Sequence, residues 1–342
     1  MTQINSQKID QAWPSDELES VDACPYCAAT DRTLAYKDVQ DWSFYGAAGK
    51  WSYWRCRSCE ALYLNPRPTE ISIEKAYNTY YTHNSEGTSQ LQNLKVRLKN
   101  ECFFHWINTD LQPRFHLPRA CSFLFHPLKF FIYQPVELKH LMKQPKGKLL
   151  DVGCGSGNSL LSAKQLGWDV TGLEIDPKAV KAARQQGLNV IEGDFRQLKQ
   201  LEKQFDCIIC SHVLEHVHFP LELLEMLTQA LRPQGVLLIS MPNAKSHVLE
   251  EFGADWRGLE APRHLGIPSL QKLTELLKNL GFADIHQTNA YNLTVVESIR
   301  IRNRQLVSTF KNMLFAKIKI AISGSNTYMH SDFIQLSAKK KL

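Results

Sequence analysis

The chain has 342 residues, 44% of them hydrophobic, which is enough for a full core and a second module. A net charge of +6 is too mild to mark a dedicated nucleic-acid binder, although it leaves one open. No apolar segment follows a basic N-terminus, and no run of about 18 apolar residues occurs, so neither a signal peptide nor a membrane span is expected. Nine cysteines is an odd number and four of them lie in CxxC pairs, which favours metal ligation over disulfides and a cytoplasmic location.

Residues 1–19 are polar and irregular and read as a flexible tail. Residues 20–70 hold two knuckles, Cys24-Pro25-Tyr26-Cys27 and Cys56-Arg57-Ser58-Cys59. Four such thiolates can sit at the corners of a tetrahedron, as in a structural zinc ribbon, and they leave no open position for a water. Ala28 and Glu60 stand where a glycine often follows such a knuckle. Between the knuckles, Trp42, Phe44, Tyr45, Trp51, Tyr53 and Trp54 alternate in a manner suited to short strands. Residues 71–135 read as an aromatic linker or lid, opening with a helix over Ile71–Tyr81. From Leu91 to Tyr133 aromatic and basic residues mix, and Pro113, Pro118 and Pro127 break the stretch into short pieces. Packing between modules is the default reading, because buried aromatic residues usually mean core. A lid, an oligomer contact and a membrane-surface helix pair stay open as alternatives.

Leu149 to Asp176 reads as strand, glycine-rich turn, helix, strand and acidic tip. Gly153, Gly155 and Gly157 let the backbone turn sharply and approach a ligand closely. The turn opens a helix whose free N–H groups can meet a polar ligand group. Glu174 lies where a carboxylate can hold both hydroxyls of a ribose. The spacing is G-x-G-x-G, with Asn158 in place of a further glycine, which moves the reading from a dinucleotide to S-adenosylmethionine. Three further pieces follow in order: Gly193-Asp194-Phe195, the buried strand and polar loop of Phe205–Val217, and Leu231–Asn243, read as a helix end, a glycine stop and a strand from Val236 to Ser240. Asp176-Pro177 starts a helix that Gly187 ends, and Ser269 caps another that Gly281 stops. Helices and strands alternating after Val136 imply a mostly parallel sheet covered on both faces, with Phe282–Thr288 and Phe333–Ala338 as its last strands. An insertion near residues 291–328 carries basic residues among apolar ones, which suit either an anionic substrate or a solvated helix face.

These pieces, in this order, make residues 136–342 similar to the class I S-adenosylmethionine-dependent methyltransferases. The resemblance implies an α/β fold: a Rossmann-like seven-stranded sheet, mostly parallel with the last strand antiparallel, beside a small N-terminal zinc-ribbon module. The ribbon followed by Leu62–Thr69 resembles bacterial methyltransferases with an N-terminal cysteine-rich module, among them sugar C-methyltransferases and surface-glycan enzymes. It implies cofactor contacts at Asp151, Gly153, Cys154, Gly155, Gly157, Glu174, Ile175, Asp194, Phe195, Ser211 and His212, and structural Zn2+ on Cys24, Cys27, Cys56 and Cys59. Tyr77, Tyr80 and Tyr81 either close the methyl-donor pocket or pack between modules.

Methyl transfer to a hydroxyl or a carbon acid needs alignment and a base, a role that suits histidine near neutral pH. The candidates are His264, His216 and His212, with His264 first. Similar sugar C-methyltransferases carry a Glu-His pair where this chain has Arg263-His264, which opens O-methylation. Arg257 and Arg263 are candidates for a phosphate or carboxylate on the acceptor. The expected function is methyl transfer to a small molecule or glycan precursor, at a sugar hydroxyl or carbon. The alternative is an RNA methyltransferase that grips nucleic acid with the ribbon. Against it, the chain reads Cys210-Ser211-His212-Val213, where enzymes acting on exocyclic base amines have Asn-Pro-Pro-Tyr. Peripheral membrane contact and oligomeric state stay open.

Overall fold

The computed structural model describes residues 9–77, 90–125, 136–288, 294–304 and 331–342. Tyr80, Tyr81 and most of the 291–328 insertion lie outside the described residues. The strands, in chain order, are β1 (Leu18–Glu19), β2 (Arg32–Val39), β3 (Trp51–Cys56), β4 (Leu62–Leu64), β5 (Arg67–Pro68), β6 (Lys148–Val152), β7 (Asp169–Glu174), β8 (Asn189–Glu192), β9 (Phe205–Ser211), β10 (Leu231–Pro242), β11 (Gly266–Ile267), β12 (Phe282–Gln287) and β13 (Phe333–Lys340).

A seven-stranded sheet runs in the order β12-β13-β10-β9-β6-β7-β8. Its β6, β7 and β8 pair in parallel, and β12 and β13 pair antiparallel, as expected of the class I methyltransferase sheet. In a four-stranded sheet, β11-β4-β3-β2, Cys56 ends β3 and Cys59 lies in the turn to β4, while Cys24 and Cys27 precede β2; β1 pairs with β5. The expected helix over Ile71–Tyr81 is a short 3-10 segment, Ser72–Tyr77, within the described residues. The expected glycine stop at Gly235 is also revised. The helix Pro220–Ala230 ends earlier, the ladder starts at Leu231, and the left-handed residue is Gln234 (φ 65°). The turn therefore sits inside the strand.

By contacts the chain forms two compact units, one of Met1–Tyr80, Cys210–Gln229 and Leu237–Leu342, the other of Tyr81–Ile209 and Ala230–Val236. In the first, Trp51 and Tyr53 alternate inward along β3 and pack with Leu62 and Leu64 of β4. Val248, Leu249, Phe252, Trp256, Leu259 and Leu265 complete that core. In the second, Leu149, Leu150 and Val152 are buried in succession, the signature of a strand covered on both faces. Asp176 accepts from Lys178 N at 3.0 Å, with Pro177 in the first helical position. Ser269 caps the helix Leu270–Asn279 through Lys272 N at 3.2 Å.

Candidate active site and metal site

The second unit contains the glycine turn. After β6, Gly153, Gly155 and Gly157 take φ values of 72°, 54° and 87°, a region L-residues rarely occupy. The latter two glycines serve different ends. A Cβ on Gly157 would lie 2.3 Å from Leu188 Cδ1, so that glycine permits close packing. A Cβ on Gly155 would meet nothing within 4 Å, so that glycine presents bare backbone to open space. At the end of β7, Glu174 accepts from Gly155 N at 2.8 Å through one oxygen and from Asp176 N at 2.9 Å through the other. The carboxylate thus fixes the turn from below. Gly193 N donates to the Glu174 carbonyl at 2.9 Å, which brings the Gly193-Asp194-Phe195 turn beside it.

Asp151 is 4% exposed. Burial, then the Glu137 and Glu174 carboxylates, push its carboxyl up to about 8. Cys154 is buried under the turn and its thiol is likewise raised by burial, while Ile175 is exposed. Asp194 caps its own 3-10 turn, accepting from Arg196 N at 2.9 Å and pairing with the Arg196 guanidinium at 2.7 Å. Phe195 is buried beneath that guanidinium. The turn, Asp151 and Glu174 therefore assemble together, and Asp194 is occupied as a cap.

In the first unit, the three candidate histidines converge. His216 and His264 rings meet edge to face at 4.6 Å. His216 Nδ1 lies 2.9 Å from the Tyr77 hydroxyl and 3.1 Å from the Arg263 carbonyl. His264 Nδ1 donates to the Gly258 carbonyl at 2.7 Å, which leaves Nε2 facing Glu260 Oε2 at 3.6 Å. His212, in a left-handed backbone (φ 56°), contacts Glu215 Oε1 at 3.1 Å through Nδ1. Ser211 precedes it at the end of β9. Burial lowers the affinity of both inner histidines for a proton; His264 falls to about 4. Burial opposes ionisation of Glu260 and Glu215 as well. Arg257, His264 and Arg263 nonetheless hold Glu260 well below the usual carboxylate range, and a hydrogen bond from His212 together with nearby histidine charge lowers Glu215.

Arg263 does not face an acceptor. It is fully buried, forms a two-point ion pair with Asp41, bonds Glu260 at 3.1 Å and donates to the Ala76 carbonyl at 2.9 Å. A buried guanidinium has to be paired in this way, and its donors are then used up. Arg257 pairs with Glu260 and stacks on Phe44. The sequence reading missed Glu215, Glu260, Tyr53 and Asp41. Glu215 sits between two histidines in sequence and had a local signal. Asp41 had none, because it meets Arg263 across 222 positions.

The four knuckle cysteines also lie in the first unit. Cys24 and Cys59 sulfurs are 3.6 Å apart, Cys27 and Cys56 sulfurs 3.5 Å, and all four lie within 4.8 Å of one another. A tetrahedral zinc with bonds of about 2.3 Å separates its sulfurs by about 3.8 Å, so the donor set fits that ion. Ala28 (φ 59°) and Glu60 (φ 61°) take the left-handed turn that glycine usually supplies, and each amide reaches back to the first cysteine of its knuckle.

Residues 128–287 match the family model described as a methyltransferase domain. The chain is 30% identical over 142 residues to the ubiquinone biosynthesis O-methyltransferase of Actinobacillus pleuropneumoniae serotype 5b, covering 36% of this chain and 61% of that protein. It is 33% identical over 142 residues to the protein of the same name from Histophilus somni, covering 36% and 58%. The chain thus spans less than two thirds of the length of these relatives. A solved S-adenosylmethionine-dependent methyltransferase from Archaeoglobus fulgidus is 22% identical, with 64% of this chain and 99% of that chain covered and a TM-score of 0.42.

Proposed function

Taking residues 128–287 as belonging to the methyltransferase-domain family, we propose that the protein transfers the methyl group of S-adenosylmethionine to a hydroxyl of a small molecule, with a sugar or glycan precursor as the acceptor class. The observation that carries this reading is the Gly155 turn: bare backbone facing open space, its amide held by a carboxylate placed at the end of the next strand. Asp151, the glycines and Glu174 would hold the cofactor, which supplies an electrophilic methyl group when bound. The relatives are named O-methyltransferases, which favours an oxygen acceptor here.

The bound cofactor would supply its methyl group to the acceptor oxygen, and this chain's residues would orient that oxygen and take up the hydroxyl proton. His264 and His216 are the base group. Burial keeps His264 neutral at pH 7 and makes it the weaker base, its Nε2 facing Glu260. His264 is 4% exposed and sits behind His216, so His216 offers the more accessible ring and His264 backs it together with Glu260. Cys24, Cys27, Cys56 and Cys59 would hold a structural zinc. The test is labelled methyl transfer into separated cell fractions: RNA, nucleotide sugars and glycans, lipids, and small metabolites. Label in sugars or small metabolites, lost in His264→Ala and His216→Ala, supports the reading. Label in RNA overturns it.

A further inference from the structure

The helix Gln90–Ile107 is only half packed. Cys102 and Phe103 at its C-terminal end are buried, the latter packing with Leu111 and Leu138. Its residues 93–99 are exposed all round. On a 3.6-residue helix, Leu94 and Leu98 share one stripe, with Arg97 on one flank and Lys95 and Lys99 on the other. The short helix Ser122–Phe125 packs on the far end of that helix, where Trp106 Nε1 donates to the Phe125 carbonyl at 3.2 Å and the His105 ring stacks on Phe125. Its other two apolar side chains, Phe123 at 68% and Leu124 at 57% exposure, point away from the protein, with Arg119 close by in sequence.

The acids of this hairpin are already used. Glu101 is fully buried and accepts from the amides of Phe115, His116 and Leu117 at 2.6–2.9 Å. Asp110 pairs with Arg114 at 2.6 Å, and Arg114 also reaches Glu101. Among the described residues no carboxylate pairs with Lys95, Arg97, Lys99 or Arg119. Asp110 is the exposed acid of the hairpin and is paired with Arg114. The remaining exposed charge is positive and interleaved with exposed apolar side chains, Arg97, Lys99 and Arg119 lying over the Phe115, Phe103 and Phe104 rings.

We propose that the hairpin of residues 93–125 docks on an anionic lipid bilayer, its leucines and phenylalanine entering the headgroup boundary while its lysines and arginines meet lipid phosphates. Exposed leucines with cations on either side suit contact with an anionic lipid surface, although Val96 is exposed on the opposite face of the helix. A second copy of the chain is the poorer occupant, because a two-fold contact sets each cation against its own kind. Nucleic acid would leave the leucines without a partner, since they offer no ring for a base to stack on.

The test is flotation of the full chain with vesicles of phosphatidylcholine alone or with about one third phosphatidylglycerol, chosen to give an anionic surface. We expect about tenfold tighter binding to the anionic vesicles, weakening as salt rises. Phe123→Ser combined with Leu124→Ser should reduce that binding about tenfold, and Lys95→Glu at least about fivefold. These side chains are exposed, so an unchanged melting temperature certifies that the variants are folded. Equal flotation on both vesicles overturns the proposal. So does binding that survives both variants, tighter capture of an RNA oligonucleotide than of vesicles, or a dimer that the Phe123–Leu124 variant dissociates.

Discussion

Gly155 and Gly157 stand two residues apart, yet substitution should separate their roles. Gly157→Ala forces a Cβ into Leu188 and into a left-handed backbone, so stability should fall by about 2–3 kcal/mol in denaturant unfolding. Gly155→Ala meets no neighbour, and should cost about 1 kcal/mol of backbone strain. Its main effect should be on S-adenosylhomocysteine affinity, weakened about tenfold or more in titration calorimetry, because the methyl group fills the open side. Asp151 adds a pH signature. Its carboxyl is protonated up to about pH 8 in the free protein. A cofactor ammonium placed beside it favours ionisation, so S-adenosylmethionine should bind more tightly as pH rises from about 6 to 8, with proton release. Calorimetry in buffers of different ionisation heat reads that proton directly, and Asp151→Asn should abolish it.

One element does most to shape the histidine cluster: the stretch from Trp256 to Ile267. Its end is β11, which pairs with β4 of the cysteine-bearing sheet. The Tyr53 hydroxyl of β3 lies 2.5 Å from the Leu259 carbonyl and 2.7 Å from that of His264, and the Tyr26 hydroxyl donates to Gly266 O at 2.8 Å. Asp41, on the β2–β3 connection, accepts from the amides of Phe44, Gly46 and Ala47 as well as from Arg263. Asp41→Ala would remove the two-point carboxylate partner of the buried Arg263, so unfolding experiments should show a loss of about 3 kcal/mol or more. Cys56→Ser should lower metal content and release the same stretch, visible as lost amide protection at residues 258–267 in hydrogen exchange. Unchanged protection there would show that the cysteine module does not hold the loop.

For the molecule as a whole, two buried groups, His264 and Asp151, act in opposite senses. His264 binds its proton at about 4 when folded against 6.5 unfolded, so its contribution is present above 6.5 and lost as pH falls towards 4. Asp151 binds its proton at about 8 when folded against 3.8 unfolded, so its contribution is full in acid and lost as pH rises through 8. Between about 4 and 6.5 the two offset each other; from 6.5 to 8 Asp151 acts alone, and stability should decline. A melting-temperature series should show that decline in the wild type and a flatter curve in Asp151→Asn.

Much of this protein was legible along the chain because the signals are local. The strand–glycine–helix pattern at Leu149–Asp176, the caps at Asp176 and Ser269, and the CxxC spacing each involve residues within a few turns of one another, and local geometry dictates them. The fold class followed from the order of those pieces. The start of β10 and the short 3-10 turn at Ser72–Tyr77 were not legible, since pairing with neighbouring strands and packing override local propensity there. The site is divided in the same way. Sequence alone determined a glycine turn with an acid at the end of the following strand, four thiols spaced for one metal, and histidines suited to proton transfer. Only the tertiary structure decided that Arg263 is an internal strut and not a substrate clamp, because its partner Asp41 lies far away in the chain. Likewise it was burial, a property of the packed molecule and not of any short segment, that set the proton affinities of Asp151 and His264.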